Sequence, residues 1–288
     1  MSKVIVTIVH GDAYLQRWRA HALPTWRRYA SRHGYAGIIA LSQRLDESPR
    51  AAGRSVAWQK LLIAGHPDIQ KHDVAVWIDA DVVINHNTAP CIVEAQKTDK
   101  IGLCEEMQLP DHPLFSLMIA RNEANLVDGC ARMGIPHPLE PFKRYGLSET
   151  PARYFNTGVM VFRPRQHREL LEAVYHGYED RGAGCLYEQV PFSYEIARRG
   201  MYEILDPKFN VLYGKFYIAL GCNFAKRAVI DGRVAILAAI LSNVYFLHFA
   251  SIQYLMPDLA LLDFAHQPIR LKRQKARAQA MRELERPD

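Results

Sequence analysis

The chain lacks the sequence features that define several large protein classes. Its five cysteines are widely scattered and include no Cys-x-x-Cys pair, which favours free thiols in a reducing compartment over disulfides or a zinc site. Its longest apolar run, 234–247, is interrupted by Ser242 and Asn243 and is shorter than the roughly 20 residues that cross a bilayer. The first residues have no signal-peptide pattern. We therefore expect a cytoplasmic protein.

Acidic residues are too few to balance the basic ones, so the chain carries a net charge of +6 and has a pI near 9.0. Most of the excess lies in residues 269–288, which contain seven basic and three acidic residues. No zinc-finger spacing, RNP aromatic motif or basic zipper accompanies this charge, so we expect no nucleic-acid partner. The segment 266–288 is predicted to be a basic helical tail. It is either a solvated helix or a weak peripheral contact with anionic lipid headgroups.

The first third of the chain has the pattern of alternating strands and helices. The composition, 49% hydrophobic and 23% charged, excludes a disordered chain, a collagen-like fibre and a coiled coil. Strands are predicted at 4–9, 37–41 and 74–78, with helices at 13–33, capped by Asp12, and at 57–69. Such alternation is typical of an α/β fold with a parallel sheet and crossover helices.

The rest of the chain is less regular. Strands are predicted at 101–104, 155–162 and 244–249. Helices are predicted at 123–133, 165–178 and 188–199. With no internal repeat and no clear linker, we expect one domain over 1–265, followed by the tail.

Two aspartates at the end of the third strand are the sharpest motif. Asp79 and Asp81 follow the apolar residues of Trp77-Ile78 and precede Val82-Val83-Ile84. Ligands bind beyond the carboxyl ends of strands in open parallel sheets, and two carboxylates one residue apart lie on one side of an extended chain. Two oxygen ligands suit a hard divalent cation. The alternative is that both aspartates cap the next turn or reach solvent.

Three other groups bear on this motif, and each has a purely structural alternative. Lys60 precedes the acidic strand, where it could pair with a phosphate oxygen or lie in solvent. Asn156, Thr157 and Gly158 open a strand, where they suit either sugar hydroxyls or a tight turn. His248 stands within an apolar strand, where it is either a core histidine or a third ligand for the same metal.

Together these residues resemble the nucleotide-sugar glycosyltransferases of the GT-A fold, most closely the retaining family 8 (glycogenin-like) and family 34 (galactosyl/xylosyl transferase) enzymes. The matching positions run in order through most of the chain: Val6-Thr7 with Tyr14, Lys60, Asp79-Ala80-Asp81, Phe155-Asn156-Thr157-Gly158, Glu188-Gln189 and His248. The chain departs from both families after His248, where Phe249 and Ala250 stand and the expected glycine is missing.

The resemblance implies a Rossmann-like, mostly parallel sheet flanked by helices, with a nucleotide-binding part at 1–105 and a sugar and acceptor part at 106–265. It implies Mn²⁺ or Mg²⁺ held by Asp79, Asp81 and His248 against the diphosphate of a UDP- or GDP-sugar. Thr7 and Tyr14 would hold the nucleobase, and Lys60, Asn156, Thr157 and Gly158 would contact the nucleotide or sugar.

The same resemblance implies the catalytic groups. Gln189 would stabilise the oxocarbenium-like transition state at the anomeric carbon, and Glu188 would orient the sugar or acceptor. A retaining enzyme needs no dedicated base, whereas an inverting one would use Glu105, Glu106 or Asp111. The acceptor would be a glycan, a lipid-linked sugar or a small molecule.

Two other functions remain open from the sequence. A strand followed by Asp-x-Asp is also the first motif of haloacid-dehalogenase-like phosphatases, in which Asp79 would be the nucleophile. That family places the motif near the N-terminus, whereas here two strand-helix units precede it. A non-catalytic protein that binds nucleotide sugars is the other alternative.

Overall fold

The computed structural model describes residues 1–106, 108–113, 115, 140–147, 153–219 and 230–272. Its strands are β1 (Lys3–Ile8), β2 (Ile38–Leu41), β3 (Val74–Ile78), β4 (Val82–Ile84), β5 (Ile101–Glu105), β6 (Phe155–Phe162), β7 (Tyr202–Ile204), β8 (Val211–Leu212), β9 (Phe246–His248), β10 (Leu262–Asp263) and β11 (Arg270–Leu271). Its α-helices span Asp12–Arg17, Leu23–Arg32, Pro49–Ala52, Pro67–Gln70, Ile92–Ala95, Glu140–Arg144, Pro164–Gly177, Gln189–Arg198, Tyr213–Ala219 and Ile230–Asn243. A π-helical segment covers Trp18–Ala22, and 3₁₀ segments cover Val56–Gly65, Ala183–Cys185, Pro207–Phe209 and Gln253–Leu261.

The central sheet has six strands in the order β2-β1-β3-β6-β5-β7. β1 pairs in parallel with β2 and β3, and β5 pairs in parallel with β7. β6 alone in this sheet runs against its neighbours, since it pairs antiparallel with both β3 and β5. The predicted α/β fold with a mostly parallel sheet is therefore confirmed.

Both faces of this sheet are covered, because the side chains of β1 and β3 alternate between two hydrophobic clusters. Ile5 joins one cluster, whereas Val4 and Val6 join the other. In β3, Val76 lies in the first cluster and Trp77 in the second. This explains the continuous apolar runs in the sequence, since a strand buried on both faces has no polar side.

The chain changes sheet immediately after β3. A second, three-stranded sheet has the order β4-β9-β8, with β4 antiparallel to β9. Between the two sheets the chain turns, and the Val82 amide donates to the Asp79 carbonyl oxygen at 3.0 Å. Residues 79–81 therefore turn, and they are not the extended segment in which both carboxylates would share one side. The aspartates converge because of this turn.

Two other predictions in the first third are also corrected. Asp12 is the first residue of its helix and does not cap it, since the cap position is Gly11 with no side-chain bond. The single helix predicted at 57–69 is a 3₁₀ segment, Val56–Gly65, followed by the short helix Pro67–Gln70. Pro67 disfavours helical geometry at the preceding His66, whose backbone is extended, so the helix stops there.

The C-terminal prediction is corrected where the structure describes it. Residues 266–272 are not helical, because β11 pairs antiparallel with β10. Ile269 is buried in the main core, and its amide donates to Ser242 Oγ at 2.8 Å. Residues 273–288 and the helix predicted at 123–133 lie outside the described residues.

The longest apolar run, 234–247, is divided between the helix Ile230–Asn243 and β9. Among the described residues, none of the helices combines the length and the apolar character that spanning a bilayer requires. Cys91 and Cys104 are buried free thiols, as expected, and the side chains of the other three cysteines lie outside the described part.

His167 is predicted to make folding stability depend on pH. It is 1% exposed, and its Nδ1 accepts the Arg163 amide at 3.0 Å. Burial lowers its pKa from the ordinary value of 6.5 to about 4. Between pH 6.5 and 4 this histidine is therefore protonated in the unfolded chain and neutral in the folded chain. This stability is fully present above pH 6.5 and falls by roughly 1–3 kcal/mol as the pH drops to 4.

Urea unfolding of His167→Gln at several pH values between 7 and 4 tests this. We expect the variant to lose less stability than the wild type over that range. His176→Gln, on the same helix, removes an exposed imidazole and shows whether any histidine there changes the slope. If the free energy of unfolding changed with pH equally in the wild type and in His167→Gln, the pH dependence would not come from His167.

Candidate functional site

The acidic motif lies where the two sheets meet, and backbone pairing fixes its position. The Asp79 amide donates to the Gly158 carbonyl oxygen at 2.8 Å, which ties it to β6. On the other side, the Phe249 amide donates to the Asp81 carbonyl oxygen at 2.9 Å, and Val82 pairs with His248 in the β4–β9 register. The two sheets therefore bring together three residues that are far apart in the sequence.

Asp79, Asp81 and His248 form a group that can hold a metal ion. One ligand atom from each lies within 4.8 Å of the others. His248 Nε2 is 3.2 Å from Asp81 Oδ1 and 3.8 Å from Asp79 Oδ2. Burial disfavours the imidazolium, but the two carboxylates outweigh it and raise the pKa of His248. Two carboxylates and one imidazole fit Mn²⁺ or Mg²⁺, and the group matches the predicted ligand set.

Asn210, which is not one of the three possible ligands, orients the ring of His248. His248 Nδ1 lies 3.1 Å from Asn210 Oδ1, while Asn210 Nδ2 donates to Asn156 Oδ1 at 2.7 Å. Because the amide oxygen of Asn210 can only accept a hydrogen bond, His248 Nδ1 carries the hydrogen and donates it to this oxygen. In the neutral ring this leaves the lone pair of Nε2 facing the carboxylates, as a metal ligand requires.

Removing the Asn210 amide is expected to weaken metal binding. Asn210→Ala should lower the affinity for Mn²⁺ about 10- to 100-fold, because the ring of His248 loses its fixed orientation. Free Mn²⁺, measured by electron paramagnetic resonance, gives the affinity directly. Asn243→Ala is the matched control, since that amide donates to the carbonyl oxygen of Ala239 in its own helix at 2.8 Å and, among the described residues, makes no contact with His248. Equal affinities for the two variants would contradict the role of Asn210.

Lys60 lies behind the motif as a buried cation between two carboxylates. Its Nζ is 2.9 Å from Glu188 Oε1 and 3.1 Å from Asp79 Oδ1, and the side chain is 5% exposed. Burial disfavours the ammonium, but Asp79 and then Glu188 outweigh burial, and the pKa of Lys60 is raised. Burial raises the pKa of Glu188, which also accepts from Thr157 Oγ1 at 2.9 Å. Lys60 is therefore not a solvated helix lysine.

The strand-opening residues of β6 connect the metal group to Gln189. Asn156 Nδ2 donates to Glu106 Oε2 at 2.7 Å and lies 3.3 Å from Gln189 Oε1. Gln189 Nε2 in turn donates to the Tyr154 hydroxyl at 2.6 Å. Next along β6, Gly158 has no room for a side chain, since a Cβ there would lie 2.2 Å from His248 Cε1. The predicted residues of this segment are thus brought together around His248 and Gln189.

The backbone before Gln189 is held in a costly conformation. Leu186 and Tyr187 both have left-handed dihedrals, with φ of 55° and 51°. Each such residue costs roughly 1–3 kcal/mol and persists where the surroundings impose it. Here the Tyr145 hydroxyl donates to the Tyr187 carbonyl oxygen at 2.7 Å. The strained turn places Tyr187 at the cleft and Glu188 behind it.

An open cleft of about 410 Å³ lies in front of the aspartates. Its walls come from the ends of β1 and β3, the helix after β1 and the turn at Tyr187. The lining residues are Ile8, His10, Tyr14, Ser55, Val56, Ala57, Lys60, Trp77, Asp79, Ala80, Asp81 and Tyr187. The cleft is large enough for much of a nucleotide, and Asp79 and Asp81 make one end of it acidic.

The structure does not bring every predicted residue to this cleft. Thr7 is fully buried, and its hydroxyl has no partner among the described residues, whereas the next residue, Ile8, lines the cleft. Side chains alternate along β1, so Thr7 faces the opposite side of the sheet. Tyr14 does line the cleft, and its hydroxyl accepts from Gln253 Nε2 at 2.6 Å. Glu188 is 2% exposed and also does not reach the cleft. Five further predicted residues are not among those that line it: Asn156, Thr157, Gly158, Gln189 and His248.

Three residues of the site were missed by sequence reasoning. Trp77 Nε1 donates to Asp79 Oδ1 at 2.7 Å, and its place two residues before Asp79 was the available signal. Tyr154 precedes the Phe-Asn-Thr-Gly segment but matches no motif. Asn210 follows Pro207–Phe209 with no recognisable pattern around it, so nothing in the sequence indicated its contact with His248.

Comparison with solved structures identifies the architecture. A glycosyltransferase involved in glycosylation of the major capsid of PBCV-1 superposes with a TM-score of 0.52 at 15% identity, covering 89% of this chain and 98% of that one. This chain has the GT-A glycosyltransferase fold. The WbbM bifunctional glycosyltransferase gives a TM-score of 0.50 at 12% identity and covers 98% of this chain. This chain spans 51% of the length of that protein.

The GT-A fold places the Asp-x-Asp turn and the cleft at the carboxyl ends of β1 and β3, where open α/β sheets bind ligands. No family model and no curated protein matches the sequence. The predicted resemblance to GT-A glycosyltransferases is thus confirmed at the level of the fold.

Proposed function

We propose that the protein is a metal-dependent glycosyltransferase that moves a sugar from a nucleoside diphosphate sugar, a UDP-sugar, to an acceptor hydroxyl. The observation that carries the proposal is the convergence of Asp79, Asp81 and His248 in a GT-A fold, with both aspartates lining an open cleft. We expect Mn²⁺ there, with Mg²⁺ as the alternative. A bound divalent cation would supply Lewis-acid stabilisation to the departing diphosphate.

The residues of the chain prepare the cleft for a nucleotide with two phosphates. Asp79, Asp81 and His248 would hold the cation, and Tyr14, which lines the same cleft, would offer its ring to the base. Lys60 lines the cleft while pairing with two carboxylates, so its ammonium is fixed in place before any ligand arrives. Fixed charge of this kind stabilises a transition state without reorganisation.

The sugar would lie toward β6. Gln189, held by Tyr154 and Asn156, is our candidate for stabilising the positive charge that develops at the anomeric carbon. Because Glu188 is buried against Lys60, we propose that it positions Lys60 and does not touch the sugar. We favour retention, in which the acceptor proton passes to the leaving phosphate oxygen and no dedicated base is required.

The acceptor class and location stay predictions. We propose a glycan, a lipid-linked sugar or a small molecule as acceptor, and a cytoplasmic site of action. The fold comparison favours a transferase over the phosphatase alternative. The Asp79 carboxylate also accepts hydrogen bonds from Lys60 and Trp77. These bonds hold one of its oxygens in place, which does not suit an attacking nucleophile.

The donor is tested by incubating the protein with Mn²⁺ and a panel of UDP- and GDP-sugars and measuring release of the nucleoside diphosphate. We expect release from at least one UDP-sugar and none from Asp81→Asn. Release that continues in EDTA, or an aspartyl-phosphate on Asp79, would overturn the proposal. Metal-dependent binding without any release would favour the non-catalytic alternative.

The stereochemistry is tested separately by proton NMR of the first product formed. A product with the anomeric configuration of the donor supports retention. The opposite anomer would reject retention and would direct attention to Glu106, whose carboxylate lies next to Asn156 and Gln189.

A further inference from the structure

A second cavity, of about 340 Å³, lies beside the helix Leu23–Arg32 and shares no lining residue with the cleft of the proposed transferase site. Its polar lining consists of His21, Thr25, Arg28, His86 and Lys272. Its remaining lining residues are apolar, and they include Pro24, Leu259 and Phe264. Two permanent cations and no carboxylate therefore line one pocket.

The walls of this cavity are organised by contacts within the protein. Arg28 Nη1 lies 3.3 Å from His86 Nε2, so the guanidinium donates to the imidazole and is held at the rim. His86 in turn stacks on the ring of Phe264, with the ring centres 6.1 Å apart and an interplanar angle of 22°. This row of three side chains gives the pocket one rigid wall with a cationic end and an aromatic end.

The charge of the pocket is not neutralised by neighbouring acids. The helical segment from Asp12 to Arg32 carries five arginines and, after Asp12, no acidic residue. None of these arginines lies within ion-pair distance of a carboxylate in the part of the chain that the structure describes. Two acids adjoin the lining residues of the other wall in sequence, and each faces a different partner. Asp258 Oδ1 accepts from Arg233 Nη2 at 2.7 Å, and Asp263 Oδ2 lies 3.5 Å from His266 Nε2. The local potential is therefore positive.

The two histidines add neutral hydrogen-bonding groups to this charge. Burial, and then Arg17, lower the pKa of His21, and burial, and then Arg28, lower the pKa of His86. At neutral pH the fixed positive charge therefore comes from Arg28 and Lys272. A charge near +2, with a planar guanidinium donor and an apolar wall, fits a phosphate group attached to an organic body.

We propose that the pocket around Arg28, His86, Phe264 and Lys272 binds a phosphate ester, with the phosphate between the two cations and its organic part against Phe264. The chemistry is shared by a phospholipid headgroup and by a soluble phosphoester. A carboxylate ligand would use fewer of the donors that the pocket offers. The site is separate from the transferase cleft, so it does not depend on the proposed activity.

Backbone amide NMR of the full chain tests the site with two probes. The first probe is inorganic phosphate, and the second is vesicles of phosphatidylcholine with one part in five of phosphatidylglycerol. We expect saturable shifts of the amides around His21, Arg28 and Phe264 with at least one probe. Arg28→Gln and Lys272→Gln should each weaken that binding at least tenfold. Lys97→Gln, which removes an exposed lysine elsewhere, should leave it unchanged.

The two probes distinguish the sources of the phosphate. Shifts with free phosphate but not with vesicles assign a soluble phosphoester, and the reverse result assigns a lipid headgroup. Binding of UDP with Mn²⁺ by Arg28→Gln should equal that of the wild type, which separates this site from the cleft. The proposal is overturned if neither probe shifts these amides, or if both cation-removing variants bind as the wild type does.

Discussion

Gly158→Ala is expected to abolish metal binding while leaving the protein folded. A methyl group at this position would lie 2.2 Å from His248 Cε1 and 2.6 Å from His248 Nδ1, which is closer than any real contact. The ring is held by Asn210 and is 4% exposed, so it has little room to move without leaving the carboxylates. We expect the affinity for Mn²⁺ to fall more than about 100-fold, beyond the usual effect of losing an orienting contact.

The cost to folding should be smaller than the loss of binding. Overpacking of this kind destabilises by about 1–3 kcal/mol, which leaves most of the protein folded at room temperature. Gly177→Ala is the matched control, because a Cβ there meets no atom within 4 Å. Manganese titration followed by electron paramagnetic resonance, with urea unfolding alongside, separates the two effects. Wild-type manganese affinity in Gly158→Ala would show that His248 is not a ligand.

Lys60→Met is expected to destabilise the protein by about 3–5 kcal/mol at neutral pH, because it leaves buried carboxylates without their cation. Glu188 is 2% exposed and its other acid neighbour, Asp79, adds to the excess of negative charge. Methionine preserves the length of the apolar stem, so the loss reports the charge more than the packing. The same variant should bind UDP much more weakly.

A double-mutant cycle tests the origin of this loss. Glu188→Gln removes one carboxylate, so Lys60→Met should cost clearly less stability in that background than in the wild type. The control is Lys71→Met, whose exposed pair with Asp68 should contribute under about 1 kcal/mol. If Lys60→Met costs no more than Lys71→Met, or the same amount in both backgrounds, the buried cluster does not have the role assigned to it.

Five of the six strands of the central sheet could be predicted because each has a strong local signal, whereas the three-residue strand β7 was not predicted. The eight residues of β6 are all buried and read as a continuous strand, and the structure gives the same bounds. The acidic pair, Gly158 and His248 were recognised because their residue types are unusual in apolar strands. What the local pattern could not supply was the second sheet. The apolar residues that begin at Val82 would look the same if the chain continued in the first sheet, so the sequence does not show that β4 belongs to a second sheet.

Other parts of the site depend on contacts between distant segments, which local patterns do not carry. The pairing of Lys60 with Glu188 joins residues that no periodicity relates. Asn210 looks like an ordinary loop residue, and only the β8–β9 pairing brings it near His248. Thr7 is a different case, since side chains alternate along β1 and its side chain faces away from the cleft that Ile8 lines. Its contact with the nucleobase stays a prediction.

We propose that Asp79, Asp81 and His248 hold a divalent cation and that this cation binds a nucleoside diphosphate. Isothermal titration of UDP into the protein, with Mn²⁺ and then with EDTA, measures whether nucleotide binding needs the metal. We expect one UDP site that needs Mn²⁺ and is lost in Asp81→Ala, while Lys97→Gln binds as the wild type does. Equal UDP binding in EDTA, or undiminished binding by Asp81→Ala, would contradict it.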